Sequence, residues 1–212
     1  MQKDSQTRID SGALPAPRGR RTLILVALLF LLPVVAATAL YLSGWRPEGK
    51  SLQHGELVQP ARPVGDAGLM GADGAPFRLH ALRGKWAFVY FSPLPCTQAC
   101  RNSLYKMQQV RLAQGRDAPR VQRVMIVADA GAGALRELAQ QYPGLVAVSG
   151  ARVMLQALAR EFVSSQGTAL DAPGRVYLID PIGNLVLSYA PDADPSGMRK
   201  DLARLLRLSQ VG

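Results

Sequence analysis

Cysteine and histidine are scarce in this chain: 212 residues hold two of each. So few cysteines exclude a disulfide-dense scaffold, and zinc is disfavoured because four strong ligands are not evident. Long apolar runs are nearly absent too. Only residues 22–41, TLILVALLFLLPVVAATALY, approach the length of a bilayer span, which excludes a multi-span membrane protein. No internal repeat or low-complexity tract is visible, and a composition of 48% hydrophobic and 19% charged residues with two tryptophans excludes disordered and collagenous classes. There is no acidic surplus: the net charge is +10, of which residues 1–21 contribute +3. The remaining basic residues are scattered, with no basic run after Arg21 and no aromatic-flanked basic pattern, which speaks against a nucleic-acid partner.

The uncharged run reads as one transmembrane helix, since twenty residues at about 1.5 Å each span roughly the 30 Å of a hydrocarbon layer. Arg18, Arg20 and Arg21 abut its amino-terminal flank, whereas Arg46 and Lys50 on the other side are partly balanced by Glu48. The positive-inside rule then puts residues 1–21 in the cytoplasm, a single-pass anchor at 22–44 and the rest in the periplasm. Tyr41 and Trp45 suit the outer interface. A cleaved signal peptide is the alternative, because Ala37-Thr38-Ala39 has the small-x-small form of a cleavage site. Residues 45–66, rich in Pro, Gly and charge, read as an extended tether with His54 exposed on it, leaving 67–212 as one domain.

Within that domain the pattern predicts a hairpin of 68–70 and 77–79 around Asp73-Gly74, then a strand at 86–91 buried on both faces. A helix over 98–112 follows, then strand 121–128, a helix near 134–141, strand 145–148 and a helix near 153–162. Strands 176–179 and 185–189 around the turn 180–183, and an amphipathic helix at 198–208, complete the order. Strands alternating with helices give an α/β fold: a central mixed sheet with helices on both faces and the last hairpin as an antiparallel edge.

Cys96 and Cys100 stand four apart where the buried strand gives way to a helix. Helical positions i and i+4 share a face with Cα atoms roughly 6 Å apart, within disulfide range. A helix amino terminus favours thiolate. Such a pair can cycle between dithiol and disulfide, offer two soft ligands to Cu(I), or serve as a plain structural bridge, although so short a loop removes little chain entropy. A thiol peroxidase is a weaker fit, because Pro93 and Val89 do not match the residues that chemistry places before its cysteine. His80, Met70, Met107 and Met125 are further candidate copper donors, with surface and core roles respectively as their plainer readings.

The stretch LRGKWAFVYFSPLPCTQAC (82–100) together with YLIDPIGN (177–184) resembles the Sco/SenC family of membrane-anchored thioredoxin-fold proteins, which assist assembly of the copper centre of cytochrome c oxidase. The likeness runs from about residue 63 to residue 208. It implies a thioredoxin-like fold, an inner-membrane anchor, and Cys96 and Cys100 as redox or copper residues. Thr97 and Arg101 stand where the family usually has Pro after each Cys, and residues 128–133 replace an acidic, proline-bearing segment. Ala172 occupies the position of the family's third copper ligand, a His; Pro173 is a candidate for the cis-proline that faces thioredoxin cysteines.

The resemblance and the missing imidazole together favour a bacterial, periplasm-facing thiol–disulfide protein. It would keep cysteines of an oxidase subunit or a copper chaperone reduced, with Cys96 attacking and Cys100 resolving, and with no cofactor required. A Cu(I) carrier whose third ligand comes from a partner or from His54, and an assembly factor with a structural disulfide, are the alternatives.

Overall fold

The computed structural model describes residues 19–43, 53–171 and 173–209. The chain divides into two compact units, Met1–Lys50 and Ser51–Gly212. In the first, helix α1 (Gly19–Leu42) runs 24 residues with Pro33 inside it, long and apolar enough to cross a membrane. Ala37, Thr38 and Ala39 are helical here, and Arg20 and Arg21 form its first turn. Arg18 and Trp45, used above for orientation, lie outside the described residues.

The second unit opens with β1 (Glu56–Pro63), the hairpin β2 (Leu69–Gly71) and β3 (Pro76–Phe77), and a 3-10 turn at Leu79–Leu82. Then come β4 (Trp86–Phe91), α2 (Gln98–Leu112), a 3-10 turn at Gly115–Arg120, β5 (Val121–Ala128), α3 (Ala132–Gln141), β6 (Leu145–Gly150) and α4 (Arg152–Ala159). A small hairpin of β7 (Val163–Ser164) and β8 (Gly167–Thr168) precedes β9 (Val176–Ile179), β10 (Asn184–Tyr189) and α5 (Pro195–Leu208). The main sheet has the order β1-β10-β9-β4-β5-β6-β2-β3, with β4, β5 and β6 mutually parallel and the other pairings antiparallel. This is the mixed sheet that the pattern predicts, in the thioredoxin-like arrangement that the resemblance implies.

β4 explains why the layers form. All six residues of WAFVYF are buried, and the pleat sends them alternately to two cores. Trp86, Phe88 and Tyr90 pack with Cys100, Leu104 and Met107 of α2, Leu135 of α3 and Leu202 of α5. Ala87, Val89 and Phe91 pack on the other face with Leu155 and Leu158 of α4 and with Phe162. On that second face Phe91, Phe162 and Tyr177 meet edge to face, with ring centroids 5.0 to 6.3 Å apart.

Two expectations are corrected. Residues 56–63 of the expected tether form strand β1 on β10, so the last hairpin is not the sheet edge. The local pattern hides this strand because ELVQPARP carries Pro60 and Pro63, and most of its residues are exposed; prolines are tolerated on an edge where no ladder donor is needed. The strand is held by partners distant in sequence. Glu56 Oε2 accepts from Arg175 Nη1 at 3.0 Å, and Arg175 also donates to Ser188 Oγ at 2.8 Å.

His54 is likewise no free linker residue. Its amide and that of Gly55 donate to Asp201 Oδ2 at 2.8 and 2.9 Å, and its Nδ1 lies 3.1 Å from Oδ1. The Tyr189 hydroxyl adds a fourth contact at 3.3 Å; burial, then the Asp201 carboxylate, push its pKa up. Asp201 is 3% exposed on α5, so these donors are its replacement for water. The fit demands glycine at two points: a Cβ on Gly55 would come within 2.6 Å of the Tyr189 ring, and one on Gly197 within 2.7 Å of His54.

Asp201→Ala strands two backbone N–H groups and a buried hydroxyl. It is expected to lower the unfolding free energy in urea by about 3 kcal/mol and to open β1 to thermolysin on the amino side of Leu57. Unchanged stability and unchanged cleavage would refute the clamp.

Candidate active site

β4 ends at Phe91, and the Ser92 amide still donates to Ile126 O at 3.2 Å, so the chain leaves the sheet beside β5. The segment Pro93-Leu94-Pro95 carries no regular structure and delivers Cys96 just ahead of α2. Thr97 caps that helix: its backbone is extended and its Oγ1 accepts from the Cys100 amide at 3.3 Å. The first turn carries no acidic residue to offset the positive end of the helix.

Cys96 and Cys100 form a disulfide with Cα atoms 5.4 Å apart. Their surroundings differ. Cys100 is fully buried in the core against Leu104 and Met107, whereas Cys96 is half-buried on the rim of that core. Cys96 borders a cleft of about 520 Å³, shared with Leu94, Pro95, Arg101, Glu137 and Tyr142. Arg101 reaches back across the loop: Nη1 donates to Cys96 O at 2.8 Å, and Nε and Nη2 donate to Gln98 Oε1 at 3.2 and 2.9 Å. Both residues that depart from the family pattern therefore have a local task, Thr97 as helix cap and Arg101 as a strap.

A second cavity of about 550 Å³ lies on the other side of the loop, between Pro93 and Leu94 and the residues Leu170 and Pro173. Ala172 lies outside the described residues, as does the bond joining it to Pro173; Leu170 and Pro173 border this cavity. Asp171 is occupied by Thr168, whose amide and hydroxyl donate to Oδ2 at 3.1 and 2.6 Å and hold the carboxyl below its usual range. In the segment that replaces the acidic one, Asp129 Oδ1 accepts from the Arg152 amide at 3.0 Å and Oδ2 pairs with Arg152 Nε at 3.2 Å.

Of the remaining candidate donors, Met107 and Met125 share the core cluster of Cys100, and both histidines are engaged with carboxylates. His54 is held by Asp201, and His80 Nδ1 pairs with the Asp66 carboxylate. Burial pushes the Asp66 pKa up, but the hydrogen bonds from the His80 ring and amide outweigh it and leave the carboxyl below its usual value. Met70 is exposed on β2, while Met107 and Met125 are core residues. Among the described residues no group of three or more His, Cys, Asp or Glu could hold a metal ion. The loop itself contributes the two cysteine sulfurs as donors. Once reduced, two thiolates suit Cu(I) but lack the nitrogen a tetragonal Cu(II) site uses.

A family model described as transmembrane-like, thioredoxin-like, C-terminal domain matches residues 86–209. Among solved structures, copper-bound ScoI of Bradyrhizobium japonicum is 22% identical with a TM-score of 0.55, covering 67% of this chain and 98% of its own. Copper-bound yeast Sco1 is 18% identical with a TM-score of 0.61, covering 72% and 96%. BsSco, described as a member of the Sco family of cytochrome c oxidase assembly proteins with a disulfide switch, is 15% identical with a TM-score of 0.57, covering 73% and 99%. No curated protein matches the chain. At these identities the likeness establishes a Sco-like thioredoxin fold.

The difference in burial has a direct readout. After reduction without denaturation, Cys96 is expected to react with a small alkylating reagent at least about tenfold faster than Cys100, as resolved by mass spectrometry. Equal rates would mean that the loop opens and the observed burial does not govern access.

Proposed function

Because the chain belongs to the transmembrane-like, thioredoxin-like family, we propose that it is a membrane-anchored thiol–disulfide protein that assists assembly of the cytochrome c oxidase copper centre through Cys96 and Cys100. The observation that carries this reading is the pairing of a half-buried Cys96, on an open cleft at a helix start, with a fully buried Cys100. A structural bridge has no need of one sulfur on a cleft, and a loop this short contributes little to stability by chain entropy. The disulfide switch described for BsSco supports the same chemistry.

An external dithiol donor reduces the Cys96–Cys100 bond with two electrons and two protons. The Cys96 thiolate then attacks one sulfur of a disulfide in an oxidase subunit or a copper chaperone, and the bond between the partner's sulfurs breaks as the mixed disulfide forms. Cys100 loses its proton and attacks Cys96 Sγ, which restores the Cys96–Cys100 bond and leaves the partner with two thiols. α1 anchors the domain, and Arg20 and Arg21 at its start support a cytoplasmic amino terminus and a periplasmic domain at the bacterial inner membrane.

Copper delivery is the second reading, favoured by the copper held in the ScoI and yeast Sco1 structures. Here Cu(I) would be cargo bound by the two thiolates, with the third donor supplied from elsewhere.

Cys100→Ser removes the resolving thiol, so it is expected to accumulate a mixed disulfide through Cys96 in cells, visible on non-reducing gels and lost with Cys96→Ser. If only Cys96→Ser traps a partner, the roles are reversed; if neither does, the bridge is a staple. Ala172→His separates the copper reading. The unmodified reduced protein should bind Cu(I) without a thiolate-coloured Cu(II) complex, and the substitution should create one, followed by charge-transfer absorption. A strong Cu(II) band in the unmodified protein would show that another donor fills the place of the imidazole.

A further inference from the structure

Arg101 stands one residue beyond the buried cysteine, and its guanidinium is fixed by three hydrogen bonds, one to Cys96 O at 2.8 Å and two to Gln98 Oε1. A cation bonded to the carbonyl of a residue lies within that residue's breadth of its side chain. Cys96 and Arg101 also line the same cleft, so both residues border one space. The other ionisable groups on that cleft are Glu137 on α3 and Tyr142 just beyond it. Neither they nor any other acidic group among the described residues forms an ion pair with Arg101. Its charge is therefore not cancelled by a bonded carboxylate.

We propose that Arg101 is a positioning residue for the dithiol chemistry. Strapped to the Cys96 carbonyl, it keeps the loop closed over the start of α2 and supplies the positive charge that stabilises the Cys96 thiolate once the disulfide is reduced. The inference rests on the dithiol reading above. The part it explains is why Cys96 attacks: reduction leaves two thiols, and the one beside a fixed cation loses its proton first. The helix amino terminus acts in the same direction, whereas the Glu137 carboxylate opposes it. Gln98 takes two of the three guanidinium bonds, so the side chain cannot swing away without losing both.

The test uses full-length protein in detergent with Cys100→Ser, which leaves Cys96 as the sole thiol, and measures iodoacetamide alkylation against pH. Arg101→Gln can still donate to a carbonyl but carries no charge; Arg101→Lys keeps the charge. Arg101 is exposed, so neither change disturbs the core. Arg101→Gln is expected to move the pH midpoint of alkylation upward and to slow the reaction at pH 7 at least about threefold, with Arg101→Lys close to the unmodified profile. Superimposable profiles for Arg101 and Arg101→Gln, or a Lys variant as slow as the Gln variant, would overturn the proposal. The reagent needs no protein partner, so a flat pH profile counts against Arg101 alone, whereas failure of Cys100→Ser to trap a mixed disulfide counts against the dithiol function.

Discussion

The chemistry at the cysteine loop depends on the burial of β4. A strand whose six residues are all covered leaves no room to change direction inside the sheet, so the chain must rise out of it before α2 can start. Pro93 and Pro95 keep that exit segment from folding back as strand or helix, and Thr97 fixes the residue at which the helix begins. With those points set, Cys100 falls on the core side of the first helical turn and Cys96 falls just outside it. Two identical side chains are thereby given opposite solvent access by backbone geometry alone. Moving the cap by one residue would rotate Cys100 by about 100° away from Leu104 and Met107 and separate the sulfurs.

The opposite side of the sheet solves a different problem. A sheet ending at β10 would expose an unpaired edge. β1 covers that edge although its own sequence is a poor strand, and it does so by borrowing charge: Glu56 reaches Arg175, while Asp201 grips the amides of residues 54 and 55. Each carboxylate is satisfied by several donors, the condition under which a buried charge stabilises rather than disrupts. The arrangement also gives His54 a structural role.

Much of the fold was legible because its signals are local. Helix α2 and strands β5 and β9 occupy the residues their patterns predict, and the other helices differ only by a few residues at their ends. The strand β1 and the grip of Asp201 were not legible, since they are decided by partners up to 147 residues away, and β7 and β8 have two residues each, too few to carry a pattern. At the site, the spacing of Cys96 and Cys100 announced a disulfide-capable pair, but not which sulfur would be open to solvent. Thr97 and Arg101 registered only as departures from a family pattern. Thr immediately before a run of helical periodicity is a cap signal that could have been read; the strap from Arg101 could not, because it depends on a side chain folding back over a loop.

The central claim is that the Cys96–Cys100 bond exchanges electrons with a partner rather than stapling the loop. The measurement that tests it most directly is the reduction potential of this bond in the full-length protein, read by equilibration against dithiothreitol buffers. With one sulfur on an open cleft and a loop too short to add much stability, the account predicts a potential well above the roughly −300 mV typical of structural bridges. A value below that limit would make the bond resistant to physiological dithiols and would contradict the account.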